Sequence, residues 1–196
     1  MTRLAAASLF CLMVPPLVAG AQSSRGTGTT RADEFSAVRC GHDVPAALIG
    51  KAVRKGRVVA IEAAHRDIGL QNTGGSEVND SLFLGGWVMC GAEYQLLESP
   101  RRVRDAIRFP PHSRRQPAFF GTCTVNGKKL PDAVLAVLDN PEPRGPAEPP
   151  YAPEDPTPLA AIAAWRVDEA RARLVKIPTQ GLRCPRGQIF TVDGGT

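Results

Sequence analysis

Four cysteines lying beyond an export signal constrain this chain more than any other feature. The first 21 residues carry Arg3, an apolar run from Leu4 to Val18 broken by Pro15 and Pro16, and the small residues Ala19-Gly20-Ala21. A positive start, a short apolar stretch and small residues at the last and third-last positions are what the export and cleavage machinery reads. A spanning helix needs about 20 predominantly apolar residues, and this run is shorter. The expectation is a cleaved signal peptide over 1–21, a secreted or periplasmic protein, and no transmembrane segment in the mature chain. Cys11 leaves with the peptide, so Cys40, Cys90, Cys123 and Cys184 remain.

An even cysteine count in an oxidising compartment most often means disulfides, and four cysteines allow three pairings. Sequence proximity favours Cys40 with Cys90 and Cys123 with Cys184. Cys40 with Cys184, clasping the two ends, is nearly as good. Each bridge would close a long loop and contribute roughly 3 to 5 kcal/mol on the chain-entropy account. No two of the four have the CxxC spacing, which argues against a zinc knuckle and a thioredoxin-type pair.

Removing 21 of the 196 residues leaves 175, a length that suits one domain with a real core. Residues 22–34 are Ser, Gly, Thr and charge without apolar periodicity, which predicts a flexible arm leading into a domain over 35–196. Asp43 as a cap, Pro45 in the first turn and Ala46 to Ile49 predict a helix that Gly50 ends. Arg57 to Ala64 reads as a strand through Val58, Val59 and Ile61, and Asn72 to Ser76 as a loop. Leu82 to Cys90 reads as a core strand in which Gly85-Gly86 marks a bulge or a close backbone approach. Ser99-Pro100 opens a second helix with Val103, Ala106 and Ile107 on one face, stopped by Pro110-Pro111.

Asn126-Gly127, whose backbone readily takes positive φ, predicts a hairpin between Phe119–Val125 and Ala133–Asp139. Residues 141–158 hold eight prolines, too many for a helix or central strand, and read as a stiff surface excursion. Ala160–Val167 and Ala172–Ile177 are read as a second hairpin, its latter arm an edge strand, over the competing alanine-rich helix. Ile189–Val192 adds a short last strand. The fold class expected is α+β, one domain with a largely antiparallel sheet, about two short helices and two disulfides.

The search for chemistry mostly excludes. His65-Arg66-Asp67 followed by Asn72 has the spacing of the protein-kinase catalytic loop. However, no glycine-rich phosphate cover, strand lysine or Asp-Phe-Gly accompanies it, and only 64 residues precede it. In Cys40-Gly41-His42-Asp43 a disulfide would consume the thiol, and capping alone explains Asp43. His42, His65 and His112 are unclustered, no HExxH or GxSxG occurs, and no metal or other cofactor is expected. An exported hydrolase would have to draw on His42, Asp43, His65, Asp67 and Glu62 converging in one cleft.

The stronger signal is basic. Arg101, Arg102, Arg104, Arg108, Arg114 and Arg115 fall within fifteen residues, opposed only by Asp105. A guanidinium fork matches phosphate or carboxylate bidentately, so the run suits an anionic lipid, a polysaccharide or an acidic protein surface, with Phe109, Phe119 and Phe120 nearby as apolar contacts. The plain alternative is a solvated helix face, since arginine outnumbers lysine 18 to 5 beyond residue 21. Losing Arg3 lowers the formal charge only from +5 to +4, and an exported chain rarely meets nucleic acid, so no nucleic-acid partner is expected. The sequence thus points to an exported binding or interaction module whose best candidate surface is the arginine run.

Overall fold

The computed structural model describes residues 33–53, 56–142, 157–186 and the backbone of 189–190. The export signal, residues 22–32 of the arm and 143–156 of the proline-rich stretch lie outside the described residues. The described fold is mostly antiparallel strand, with two short α-helices and two disulfides, and it has the α+β character expected of the sequence.

Four consecutive strands make the first sheet: β1 (Gln71–Asn79), β2 (Leu82–Met89), β3 (Ala92–Glu98) and β4 (Val103–Arg108), paired antiparallel in that order. β2 is the core strand expected, while β1 and β4 depart from the local reading. The Asn, Gly and Ser of 72–76 form part of β1, because glycine here serves close approach between strands. A Cβ on Gly86 would collide with the Thr73 hydroxyl, and one on Gly75 would meet the Phe83 ring and the Leu84 carbonyl. The bulges fall on β1, at Thr73 opposite Trp87-Gly86 and at Val78 opposite Leu82-Phe83. Residues 92–98 are rich in helix formers, yet pairing on both sides makes them a strand. The expected helix after Ser99 is β4, in which Val103 and Ala106 are buried.

The N-terminal segment covers one face of this sheet. A 3-10 turn at Glu34–Ala37 is capped by Asp33, which accepts from the Phe35 and Ser36 amides at 3.2 and 3.1 Å. Asp33 and Glu34 are buried, so the packed domain begins before Phe35. Helix α1 (Val44–Leu48) is capped by Asp43 as expected, through the Ala46 amide. Residues 57–64, expected to be a strand, form helix α2 (Val58–Ala64): of its apolar residues only Ile61 is buried, while Val58 and Val59 face solvent. Period-2 burial is absent, and Ala and Glu favour the helix. Phe35, Leu48, Ile61, Trp87, Met89 and Leu96 are the centre of this layer.

The second sheet contains β5 (Ala118–Gly121), β6 (Thr124–Val125), β7 (Lys128–Lys129), β8 (Val134–Asp139), β9 (Pro158–Asp168), β10 (Arg173–Lys176), β11 (Leu182–Pro185) and β12 (Ile189–Phe190). Its order is β12-β5-β8-β9-β11-β6-β7, with β10 also on β9. The expected pairing of Phe119–Gly121 with Val134–Asp139 is present as β5 with β8, but Asn126 and Gly127, at φ 50° and 78°, turn only the short inner pair β6–β7, because the chain between β5 and β8 folds into its own hairpin; the second expected hairpin is present, β9 pairing with β10. The β9–β10 turn is tied by Asp168. The Arg171 amide and guanidinium beside it hold its carboxyl below the usual range.

Between β5 and β6 lie four strand spacings, about 19 Å in a flat sheet, but the chain between them reaches only about 10 Å. The sheet must therefore curl, and it encloses Phe119, Ala136, Leu138, Ala161 and Leu182. The face turned to the first sheet packs Leu135, Val137, Trp165 and Val167 against Leu84 and Leu97.

The pairings favoured by proximity are those in the structure. Cys40–Cys90 ties the loop before α1 to the β2–β3 turn, and Cys123–Cys184 lies buried inside the curled sheet.

Candidate anion-binding surface

The arginine run sits on the margin of the first sheet. The Ser99 amide and hydroxyl both donate to the Arg102 carbonyl, at 2.9 and 3.1 Å, and this tight turn presents Pro100 and Arg101 at its tip. The chain then enters β4, whose inner side pairs with β3. Its outer side is paired by the segment following α1. The Gly50 amide donates to the Val103 carbonyl (2.9 Å), the Val103 amide to the Lys51 carbonyl (2.9 Å), and the Val53 amide to the Arg101 carbonyl (3.3 Å). A register shift between the Leu97 and Glu98 pairings leaves Arg104 as a bulged residue. Arg114 and Arg115 form the tip of a second tight turn, bracketed by Ser113 and Gln116 and held by Asn140, which donates to both arginine carbonyls. All six arginines are exposed, but on a strand and two turns; the helix face expected for them does not form.

Their electrostatic setting differs from that of Arg166 on β9 and Arg171 in the turn that follows it. Arg166 is paired with Asp132 at 2.8 Å and Arg171 with Asp168 at 3.0 Å. Arg101, Arg102, Arg104, Arg108 and Arg115 form no side-chain ion pair among the described residues. Asp105, the one acid within the run, is turned to other work: its carboxylate accepts from its neighbour's amide at Ala106 and from the Leu174 amide of β10 at 2.8 Å. The aromatic contacts expected beside the run are withdrawn, because Phe109 and Phe119 are buried and Phe120 is half-buried.

The residues considered for hydrolysis are dispersed. His42 and Asp43 are exposed at the start of α1, and Asp67 is exposed in a 3-10 turn at Arg66–Ile68. Glu62 accepts from the Asn72 amide at 2.8 Å. His65 Nε2 lies 2.8 and 2.9 Å from the two carboxylate oxygens of Asp33, and its ring packs on Phe35. This pair fastens the start of the domain to the end of α2. No group of three or more His, Cys, Asp and Glu placed to hold a metal occurs among the described residues.

One polar group escaped the sequence reading. A cavity of about 50 Å³ between the sheets is lined by Thr73, Ser76, Glu93, Gln95, His112 and Phe119, among others. His112 Nε2 is 2.7 Å from one Glu93 oxygen, and Gln95 donates to the other at 2.8 Å. The alternation Glu93-Tyr94-Gln95-Leu96 was the only sequence signal for it. The volume holds on the order of four waters. Glu93 thus has both its oxygens engaged, by His112 and Gln95. No protein-family model matches the chain, and neither the curated proteins nor the solved structures yielded a significant match.

Proposed function

We propose that this chain is an exported binding module that holds an anionic partner through the arginines of β4 and its flanking turns. The observation that carries the reading is the clustering of unpaired cations: Arg166 and Arg171 are held by aspartates, and Arg173 and Arg183 are exposed without an ion pair on separate strands, whereas Arg101, Arg102, Arg104 and Arg108 stand within eight residues of one another, exposed and unpaired among the described residues. An unpaired guanidinium keeps its donors for an incoming phosphate, sulfate or carboxylate. Two disulfides fit a secreted or periplasmic location, and among the described residues no helix is long and apolar enough to cross a membrane.

The test is retention on a heparin support with Arg101→Glu, Arg102→Glu and Arg104→Glu combined. The variant should elute at markedly lower salt, while thermal stability changes by no more than about 0.5 kcal/mol per exposed position. Elution at the wild-type salt concentration overturns the reading.

A further inference from the structure

We infer that the cavity between the two sheets is a binding site for the vicinal hydroxyls of an uncharged ligand, a second site that does not depend on the arginine margin. One row across the first sheet runs Gly74, Gly86, Gln95, so two absent side chains lie beside one amide. The bulge at Thr73 aims its side chain at Gly86. The Thr73 hydroxyl and, at 3.1 Å, the Gln95 amide nitrogen crowd the point where a Cβ on Gly86 would stand, and polar groups therefore border the space that the glycines leave. Ser76 stands opposite Leu84 in the register, and directly paired residues share a face, so it lines the same space. Gly74 and Gly75, exposed on the outermost strand of that sheet, put the mouth at its edge.

The free hydrogen-bonding groups select the ligand. A carboxylate only accepts, so Gln95 must turn its amide nitrogen to Glu93 and keep its carbonyl oxygen for another donor. His112, on the other Glu93 oxygen, holds that arrangement in place. Gln95 Oε1 and the hydroxyls of Thr73 and Ser76 have no partner among the described residues, and each keeps accessible surface although Gln95 is only 9% exposed. One obligate acceptor and two hydroxyls match a ligand whose own hydroxyls both donate and accept. An anion has no proton for Gln95 and meets the charge of Glu93, with no Lys or Arg among the described residues lining the cavity. An ammonium group finds both Glu93 oxygens taken. A hydrocarbon would leave the polar atoms unpaired. Leu84, Phe120 and Leu135 receive the carbon face of the diol. A space of about four waters admits a diol and its nearest carbons, so the ligand is a small polyol or the edge of a sugar.

The experiment titrates the protein recovered after export with glycerol and, separately, with methyl glucoside, following the His112 ring resonances by NMR, assigned with a His112→Gln variant. Acetamide, benzene and inorganic phosphate are the comparison probes. A saturable shift with glycerol assigns a free polyol, and one with the glucoside alone assigns a sugar edge; either supports the site. Thr73→Val with Ser76→Ala removes both hydroxyls and should weaken the diol about thirtyfold. Neither hydroxyl has a partner among the described residues, so the unfolding temperature should stay that of the parent.

No shift, or shifts that never saturate, overturn the site and leave the cavity to water. Shifts that persist unchanged in the double variant overturn it too. Equal saturation by acetamide, benzene or phosphate overturns the choice of a diol. Heparin retention keeps this reading apart from the anion-binding one. The cavity variant should elute at the wild-type salt concentration, and the variant with Arg101, Arg102 and Arg104 changed to Glu should bind the diol as the parent does. Loss of diol binding in that arginine variant, whose cavity is untouched, overturns the separate site, whereas failure of the heparin test alone leaves it standing.

Discussion

Glu98 ends β3 half-buried, and its carboxyl is pushed up to about 7, first by burial and then by the neighbouring Glu34. A carboxyl whose folded pKa lies above its unfolded value binds its proton more tightly in the fold. Its ionisation therefore opposes folding. The penalty is absent below pH 4.5, grows as pH rises through the interval to 7, and is complete above it. Glu98→Gln, which keeps the shape without the charge, should leave stability at pH 4.5 nearly unchanged and raise it by about 2 to 3 kcal/mol at pH 8. Urea unfolding at the two pH values reads this, and equal gains at both would assign the effect to packing alone. Residue-scale chemistry of this kind was only partly legible beforehand. Asp43 could be read as a cap because its partner is three residues on, but Asp33 with His65, and Glu34 beside Glu98, are brought together by packing across 32 and 64 residues.

At the scale of elements, the second sheet was legible where turns carry their own chemistry: Asn126-Gly127 supplies the positive φ of its tip, and the Asp168 turn joins β9 to β10. In the first sheet only β2, with its close-approach glycines, was legible. Elsewhere glycines that permit close approach look like a loop, and four arginines around β4 look like a solvated helix. Each is overruled by long-range pairing that local propensity does not contain. The disulfides fasten these two halves differently. Cys40 is exposed and Cys90 half-buried, at the rim of the first sheet, whereas Cys123 and Cys184 are wholly buried within the second. Access limits exchange, so mild reductant without denaturant should expose two alkylatable thiols, Cys40 and Cys90, with the other pair opening only on unfolding. Mass mapping that finds all four alkylated together would contradict this ordering. Replacing Cys40 and Cys90 by serine should cost about 4 kcal/mol, the loop-entropy value for their separation.

At the scale of the molecule, the charge excess is modest but unevenly disposed, and the two sources of binding it could supply make different predictions. If net charge attracts an anionic partner, any two arginines are equivalent. If the unpaired margin does, position decides. Arg101→Gln with Arg102→Gln and Arg166→Gln with Arg171→Gln each lower the formal charge by two. The first pair removes exposed cations that have no ion-pair partner among the described residues, and should reduce retention on an anionic support while leaving stability in place. The second pair strips Asp132 and Asp168 of their guanidinium partners. It should lower stability, most at pH values above the depressed carboxyl range of Asp168, where the carboxylate is ionised and its pairing with Arg171 contributes. As pH falls through that range the carboxylate protonates in both proteins and the difference closes. Retention should hardly move. Salt-gradient elution and thermal unfolding, run on both variants across pH, separate the cases: equal losses of retention would mean that the margin of β4 has no special role and that the excess charge acts as a whole.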